Sequence, residues 1–162
     1  MTNGSESAQN ELARRHRRAR LIVAAFLALT IVLIAIAYFA SGSVHRGGDA
    51  RAEWGLWIAI LVFGMGAFVL RRTKFSTLRL RDIAAIQGIT GLLRTLEGTT
   101  LQVAYIGGAI ALMGFMITII SGNWTDMLRA GGVALVVLIY GYPVRHAWER
   151  AVRQLTPDRP AL

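Results

Sequence analysis

The chain has no cysteine and almost no lysine. Without cysteine, its 162 residues can form no disulfide, no thiol redox centre and no zinc site built on thiolates. Every basic residue apart from Lys74 and the histidines is an arginine. Together with abundant alanine and glycine, this bias indicates a GC-rich, bacterial genome. Neither feature identifies a compartment, so the class of protein must be inferred from how apolar and charged residues are distributed.

Charged residues are missing from long apolar stretches. None occurs between Gly98 and Thr125, and hydrophobic residues make up 54% of the sequence. A bilayer core about 30 Å thick requires roughly 20 apolar residues in a helix, because backbone groups in lipid must be hydrogen-bonded internally. A membrane barrel strand would alternate apolar and polar residues, and this run does not. The sequence therefore predicts a transmembrane helix at residues 99–121.

Three similar apolar runs lie at residues 21–40, 54–70 and 127–144. We therefore predict an all-α membrane protein whose four transmembrane helices form two antiparallel hairpins, at residues 21–70 and 99–146. The remaining segments are predicted to be a disordered basic N-terminus, a basic amphipathic segment and a tail, at residues 1–20, 71–98 and 147–162. Too few residues remain outside the spans for a second folded domain.

The segment at residues 71–98 has apolar residues at helical spacing, at Leu78, Ala85, Ile89, Leu92 and Leu96. Three interpretations stay open. The segment is an amphipathic helix lying in the membrane interface, a cytoplasmic extension of the third span docked on a partner, or a plain connector between the hairpins.

Basic residues are concentrated on one predicted side of the membrane. The N-terminus, the 71–97 segment and the tail carry five, six and four of the 18 Lys and Arg residues, and the two hairpin loops with Arg129 carry three. The positive-inside rule then places both termini in the cytoplasm, in a bacterial inner membrane. The residues predicted to set topology or contact anionic lipid are Arg14, Arg15, Arg17, Arg18, Arg71, Arg72, Lys74, Arg79 and Arg81. Because topology accounts for the net charge of +9, we predict no nucleic-acid partner.

Small residues recur along the third span. Close approach of backbones at small-xxx-small positions stabilises helix pairs in lipid. The predicted packing residues are Ala104, Gly107, Gly108, Ala111 and Gly114. Their partner is either another helix of the same chain or a second copy.

Groups that carry chemistry are missing from the predicted spans. No ionisable side chain lies at mid-membrane, which argues against a coupled transporter or proton relay. His16, His45 and His146 all lie outside the spans, so no pair of them can ligate a haem in the bundle. We therefore predict no cofactor, no metal and no catalytic residue. The candidate intramembrane polar contacts are Gln102, Tyr105 and Tyr140.

These observations favour a non-enzymatic inner-membrane protein that acts through helix–helix association, as an accessory or assembly subunit. Its predicted partners are membrane lipids, anionic on the cytoplasmic side, and either further copies of itself or other membrane subunits. The alternative is a homo-oligomeric, holin-like pore gated by an apolar constriction. A third hypothesis is an enzyme acting on lipid at the cytoplasmic face through Asp82, Glu97 or His146.

Overall fold

A computed structural model describes the backbone of residues 3–40, 50–74 and 77–143. Side chains are described for these residues except 3–9, 74, 77–90 and 92. The described residues form four α-helices, namely α1 (Asn3–Ala40), α2 (Ala50–Lys74), α3 (Thr77–Ser121) and α4 (Trp124–Gly141). Residues 41–49, between the first two predicted spans, and the predicted tail at 147–162 lie outside this part of the chain.

All four described helices are long and apolar enough to cross a membrane. The qualifying stretches are Asn10–Ala40, Ala50–Thr73, Leu93–Ser121 and Trp124–Gly141. This confirms the prediction of an all-α, multi-pass membrane protein. The second helix is longer than predicted, because Arg71 and Arg72 continue it instead of ending it.

The connection between α3 and α4 is tight because polar side chains cap it. Gly122 has a positive φ of 66°, which glycine adopts without strain. The side chain of Asn123 accepts a hydrogen bond from the backbone N–H of Thr125 at 3.2 Å, as an N-cap does. The hydroxyl of Ser121 donates to Asp126 at 2.8 Å. These contacts hold the first turn of α4 against the end of α3.

Helix α4 ends at Gly141, earlier than the predicted limit at residue 144. Tyr142 is extended, with φ −60° and ψ 129°. The residue before a proline is disfavoured in the helical region by a clash with the proline ring, and Pro143 occupies that position. The proline therefore ends the helix.

Helix α3 is the centre of the molecule and packs against each of the other three. It runs opposite to α4, since Gly107 faces Leu138 and Gly114 faces Ala130. It runs in the same direction as α1, since Glu97 pairs with Arg15. Phe26 and Tyr105 also meet edge to face. We call the two ends of the molecule the Arg15 end and the Trp124 end, the latter marked by the contact of Trp124 with Tyr38.

Helices α1 and α3 extend far beyond the spans that the sequence predicts at residues 21–40 and 99–121. Helix α1 begins at Asn3, whereas the sequence predicts disorder over residues 1–20. Helix α3 begins at Thr77, so most of the predicted amphipathic segment is continuous with the third span. With 38 and 45 residues, the two helices are about 57 and 68 Å long at 1.5 Å per residue. Both exceed the thickness of a bilayer core of about 30 Å.

Candidate functional site

The small residues of α3 are packed against other helices of the same chain. A Cβ atom at Gly107 would lie 2.7 Å from Cγ of Leu138, and one at Gly108 would lie 2.5 Å from the ring of Phe26. A Cβ atom at Gly114 would collide with Cβ of Ala130. Ala104 and Ala111 are buried. The structure therefore buries all five predicted packing residues within the helix bundle, and the three glycines face α1 or α4.

Other glycines face open space. Among the described residues, a Cβ atom at Gly55, Gly66 or Gly132 would meet nothing within 4 Å. Gly55 and Gly66 lie on α2, the span with the smallest buried share, at 11% compared with 50% for α3. Their spacing places them on one side of the helix together with Ala59 and Val62, since residues three or four apart share a face. We call these four residues the outer face of α2.

The three predicted polar contacts of the membrane interior differ in their surroundings. Gln102 is exposed, and Tyr105 is 60% exposed with its ring edge-on to Phe26, 5.5 Å between centroids. The side chains of both point out of the helix bundle. Tyr140 instead stacks on Phe68 with ring centroids 4.8 Å apart. The guanidinium of Arg71 lies 4.2 Å from the centre of the Tyr140 ring, in cation–π geometry.

A groove of about 530 Å³ runs between α2 and α4. Gly64 and Ala67 line it from α2, and Gly132, Val133, Val136 and Val137 line it from α4. Arg129 lies at one end, and Phe68 with Tyr140 at the other. A second groove of about 500 Å³ adjoins it, shares Gly64 and Val133, and is lined by Trp54 and Trp57. We call the first of these the α2–α4 groove.

The α2–α4 groove exists because the two helices contact each other only slightly, while each packs on α3. The space between α2 and α4 stays open because Gly64 and Gly132 have no side chain and Ala67 has only a methyl group. Sequence reasoning missed the groove, because its residues come from two helices that are distant in the chain. The sequence signal that could have indicated the groove is the set of glycines within α2 and α4, to which the sequence analysis assigns no role.

At the Arg15 end, side chains of α1 contact α3 and the residue Pro143 that follows α4. Arg15 donates to Glu11 at 2.8 Å and to Glu97 at 3.0 Å. The side chain of Glu97 is only 12% exposed. Nε2 of His16 lies 3.0 Å from the carbonyl oxygen of Pro143. The Glu97 carboxylate, one of the catalytic candidates from the sequence, is thus paired with the guanidinium of Arg15 on α1. The Asp82 side chain and His146 lie outside the described residues.

The residues predicted to meet anionic lipid are largely exposed where they are described. Arg14, Arg17, Arg18 and Arg72 are exposed, whereas Arg15 and Arg71 are half-buried through the contacts given above. The side chains of Lys74, Arg79 and Arg81 lie outside the described part of the chain. The exposed guanidinium groups are free of packing constraints on most of their surface, and so can contact lipid headgroups.

Within residues whose side chains are described, no group of three or more His, Cys, Asp or Glu residues is placed to hold a metal ion. No protein-family profile, no curated protein and no solved structure matches this chain.

Proposed function

We propose that this protein is a non-enzymatic, multi-pass membrane protein that acts by helix–helix association, as an accessory or assembly subunit of a membrane complex. The observation that carries the proposal is the outer face of α2. In the part of the chain that the structure describes, Gly55 and Gly66 on this face have no neighbour within 4 Å of the position that a Cβ atom would take. The glycines of α3 at 107, 108 and 114, by contrast, are matched by side chains of the same chain.

The glycines on the outer face of α2 carry a cost in helix stability. A glycine in a helix interior is less favourable than alanine by roughly 1 kcal/mol. At the α3 glycines, this cost in helix stability comes together with close contacts to other helices of the same chain. Such contacts drive helix association in lipid, where the hydrophobic effect between helices is absent. At Gly55 and Gly66, on the outer face of α2, no close contact with the described residues offsets this cost. A transmembrane helix of another subunit, packed at close range on Gly55, Ala59 and Gly66, supplies the missing contact.

The orientation that we propose follows from charge. The four helices form two hairpins in a bacterial inner membrane, with both termini and the Arg15 end in the cytoplasm, because Lys and Arg favour that side. In this orientation the extensions of α1 and α3 project into the cytoplasm, joined by the pair of Arg15 with Glu97. The extension of α3 at residues 77–98 then serves as a helical arm that meets anionic lipid or a cytoplasmic partner.

The test is the intact mass of the complex extracted in its native lipid. We expect the wild-type chain, of 17.7 kDa, to be extracted with further chains. These are other proteins, or copies of itself if it assembles alone. The variant Gly66→Leu places a bulky side chain on the outer face of α2 and should reduce the share of assembled complex at least tenfold. The isolated chain should stay folded, because the position is open.

The matched control is Gly132→Leu, the same change at an open glycine that lies outside the outer face of α2. The control should retain the assembled complex. A wild-type chain extracted as a monomer with lipid alone, or an assembly unchanged by Gly66→Leu, overturns the proposal. If the mass is a multiple of the mass of one chain, the next measurement is single-channel conductance. An ion current would favour the homo-oligomeric pore over the accessory subunit.

A further inference from the structure

We propose that the α2–α4 groove is a phospholipid site, in which the phosphate of the headgroup binds Arg129 and one acyl chain lies along the groove. The ligand is a phospholipid of the leaflet on the Trp124 side. The inference is independent of the association on the outer face of α2, because Gly66 does not line the groove.

The shape of the groove matches a single hydrocarbon chain. From Arg129 to Tyr140 the groove follows α4 for about 16 Å, at 1.5 Å per residue. Half the thickness of a bilayer core is about 15 Å. A transmembrane helix is about 10 Å across and would rest on the rim of a 530 Å³ groove instead of filling it. A flexible chain of methylene groups can enter and contact the open backbone at Gly132.

The two ends of the groove differ in a way that fixes the direction of the lipid. At the Arg15 end the groove is lined by the stacked rings of Phe68 and Tyr140, and the Arg71 guanidinium is engaged over the Tyr140 ring. At the opposite end lies Arg129, whose side chain is 72% exposed. The headgroup therefore lies at Arg129, and the end of the acyl chain lies at the ring stack.

Arg129 is suited to a phosphate although a carboxylate lies nearby. Its Nη1 atom is 3.8 Å from Oδ1 of Asp126, a long contact that leaves most of the guanidinium exposed. The Asp126 carboxylate also accepts the hydroxyl of Ser121 and faces the interior. Arginine binds phosphate through two parallel N–H···O hydrogen bonds. Arg129 lies about 7 Å along α4 from Trp124. At this depth in the membrane, a bound phosphate would neutralise the positive charge of its guanidinium.

The experiment measures lipid bound to the full-length chain. The chain is delipidated in detergent, phosphatidylglycerol or diacylglycerol with the same acyl chains is added back, and retained lipid is counted by native mass spectrometry. For the wild-type chain we expect one tightly retained phosphatidylglycerol. Arg129→Gln should weaken phosphatidylglycerol binding about tenfold, since a charge-assisted hydrogen bond contributes roughly 1.5 kcal/mol or more. It should leave the weaker diacylglycerol binding unchanged.

Gly132→Leu fills the groove and should reduce binding of both lipids, whereas Gly66→Leu should leave both unchanged. Arg129→Gln alters only an exposed side chain, so it reports on the site even if Gly132→Leu disturbs the fold. Equal retention of the two lipids in all variants shows a general lipid annulus and overturns the proposal. Loss of a protein partner from Gly132→Leu, with lipid binding unchanged, overturns it in favour of a partner helix in the groove.

Discussion

At the residue scale, glycine lies in tight helix contacts at some positions of the chain and faces open space at others. Gly114 faces Ala130 so closely that a Cβ atom would collide with the Cβ atom there. At Gly98, on the same helix, a Cβ atom would have none of the described residues within 4 Å. The Ala130 side chain has no rotamer to change, so only movement of the backbone could relieve the collision.

We therefore expect Gly114→Ala to lower the free energy of unfolding by about 1–3 kcal/mol, the usual range for overpacking a core. Gly98→Ala is the control on the same helix and should leave stability unchanged or raised, because alanine has the higher helix propensity. The measurement is a denaturant titration in mixed micelles. Equal stability of the two variants would mean that α3 and α4 are farther apart than described.

At the scale of the helices, the main feature is that the extensions of α1 and α3 are packed together. Ala19, Leu93 and Leu96 are buried, and Arg15 bridges Glu11 and Glu97. A basic segment with weak apolar character gains helical structure here because a neighbouring helix offers both a buried surface and a carboxylate. Composition alone indicates disorder for the same residues.

A double-mutant cycle tests this contact between the extensions. Arg15→Ala and Glu97→Ala should show a coupling energy of about 1 kcal/mol, as residues in direct contact do. The cycle with Arg14→Ala in place of Arg15→Ala is the control and should show almost none, since Arg14 is exposed. Unfolding free energies of the single and double variants give both values. Equal coupling in the two cycles would contradict the described pairing.

At the scale of the whole molecule, the question is which end faces which compartment. The lack of cysteine makes the test direct, because any introduced cysteine is unique. Ala13 and Asn123 are exposed near opposite ends of the molecule. We expect a membrane-impermeant thiol reagent to label Asn123→Cys in intact cells and Ala13→Cys only after the membrane is opened. The reverse pattern would place the Arg15 end outside and contradict the charge argument.

The sequence by itself determined that the chain has four helices long and apolar enough to cross a membrane. This property depends on local composition, because lipid forces an apolar segment of sufficient length to be a helix. Residues 99–121 illustrate this, since they lie within α3 as predicted. The small residues of this span were also identifiable, because their spacing is a property of one helix.

Only the tertiary structure decided what those small residues contact and which surfaces are left over. Spacing gives the face of a helix but not the neighbour it meets. The neighbour depends on how far each helix is rotated and tilted against the others. The contact of Gly108 with Phe26 and the open space at Gly132 arise in this way. The α2–α4 groove, formed by residues from two helices that barely touch, is therefore a property of the assembled fold.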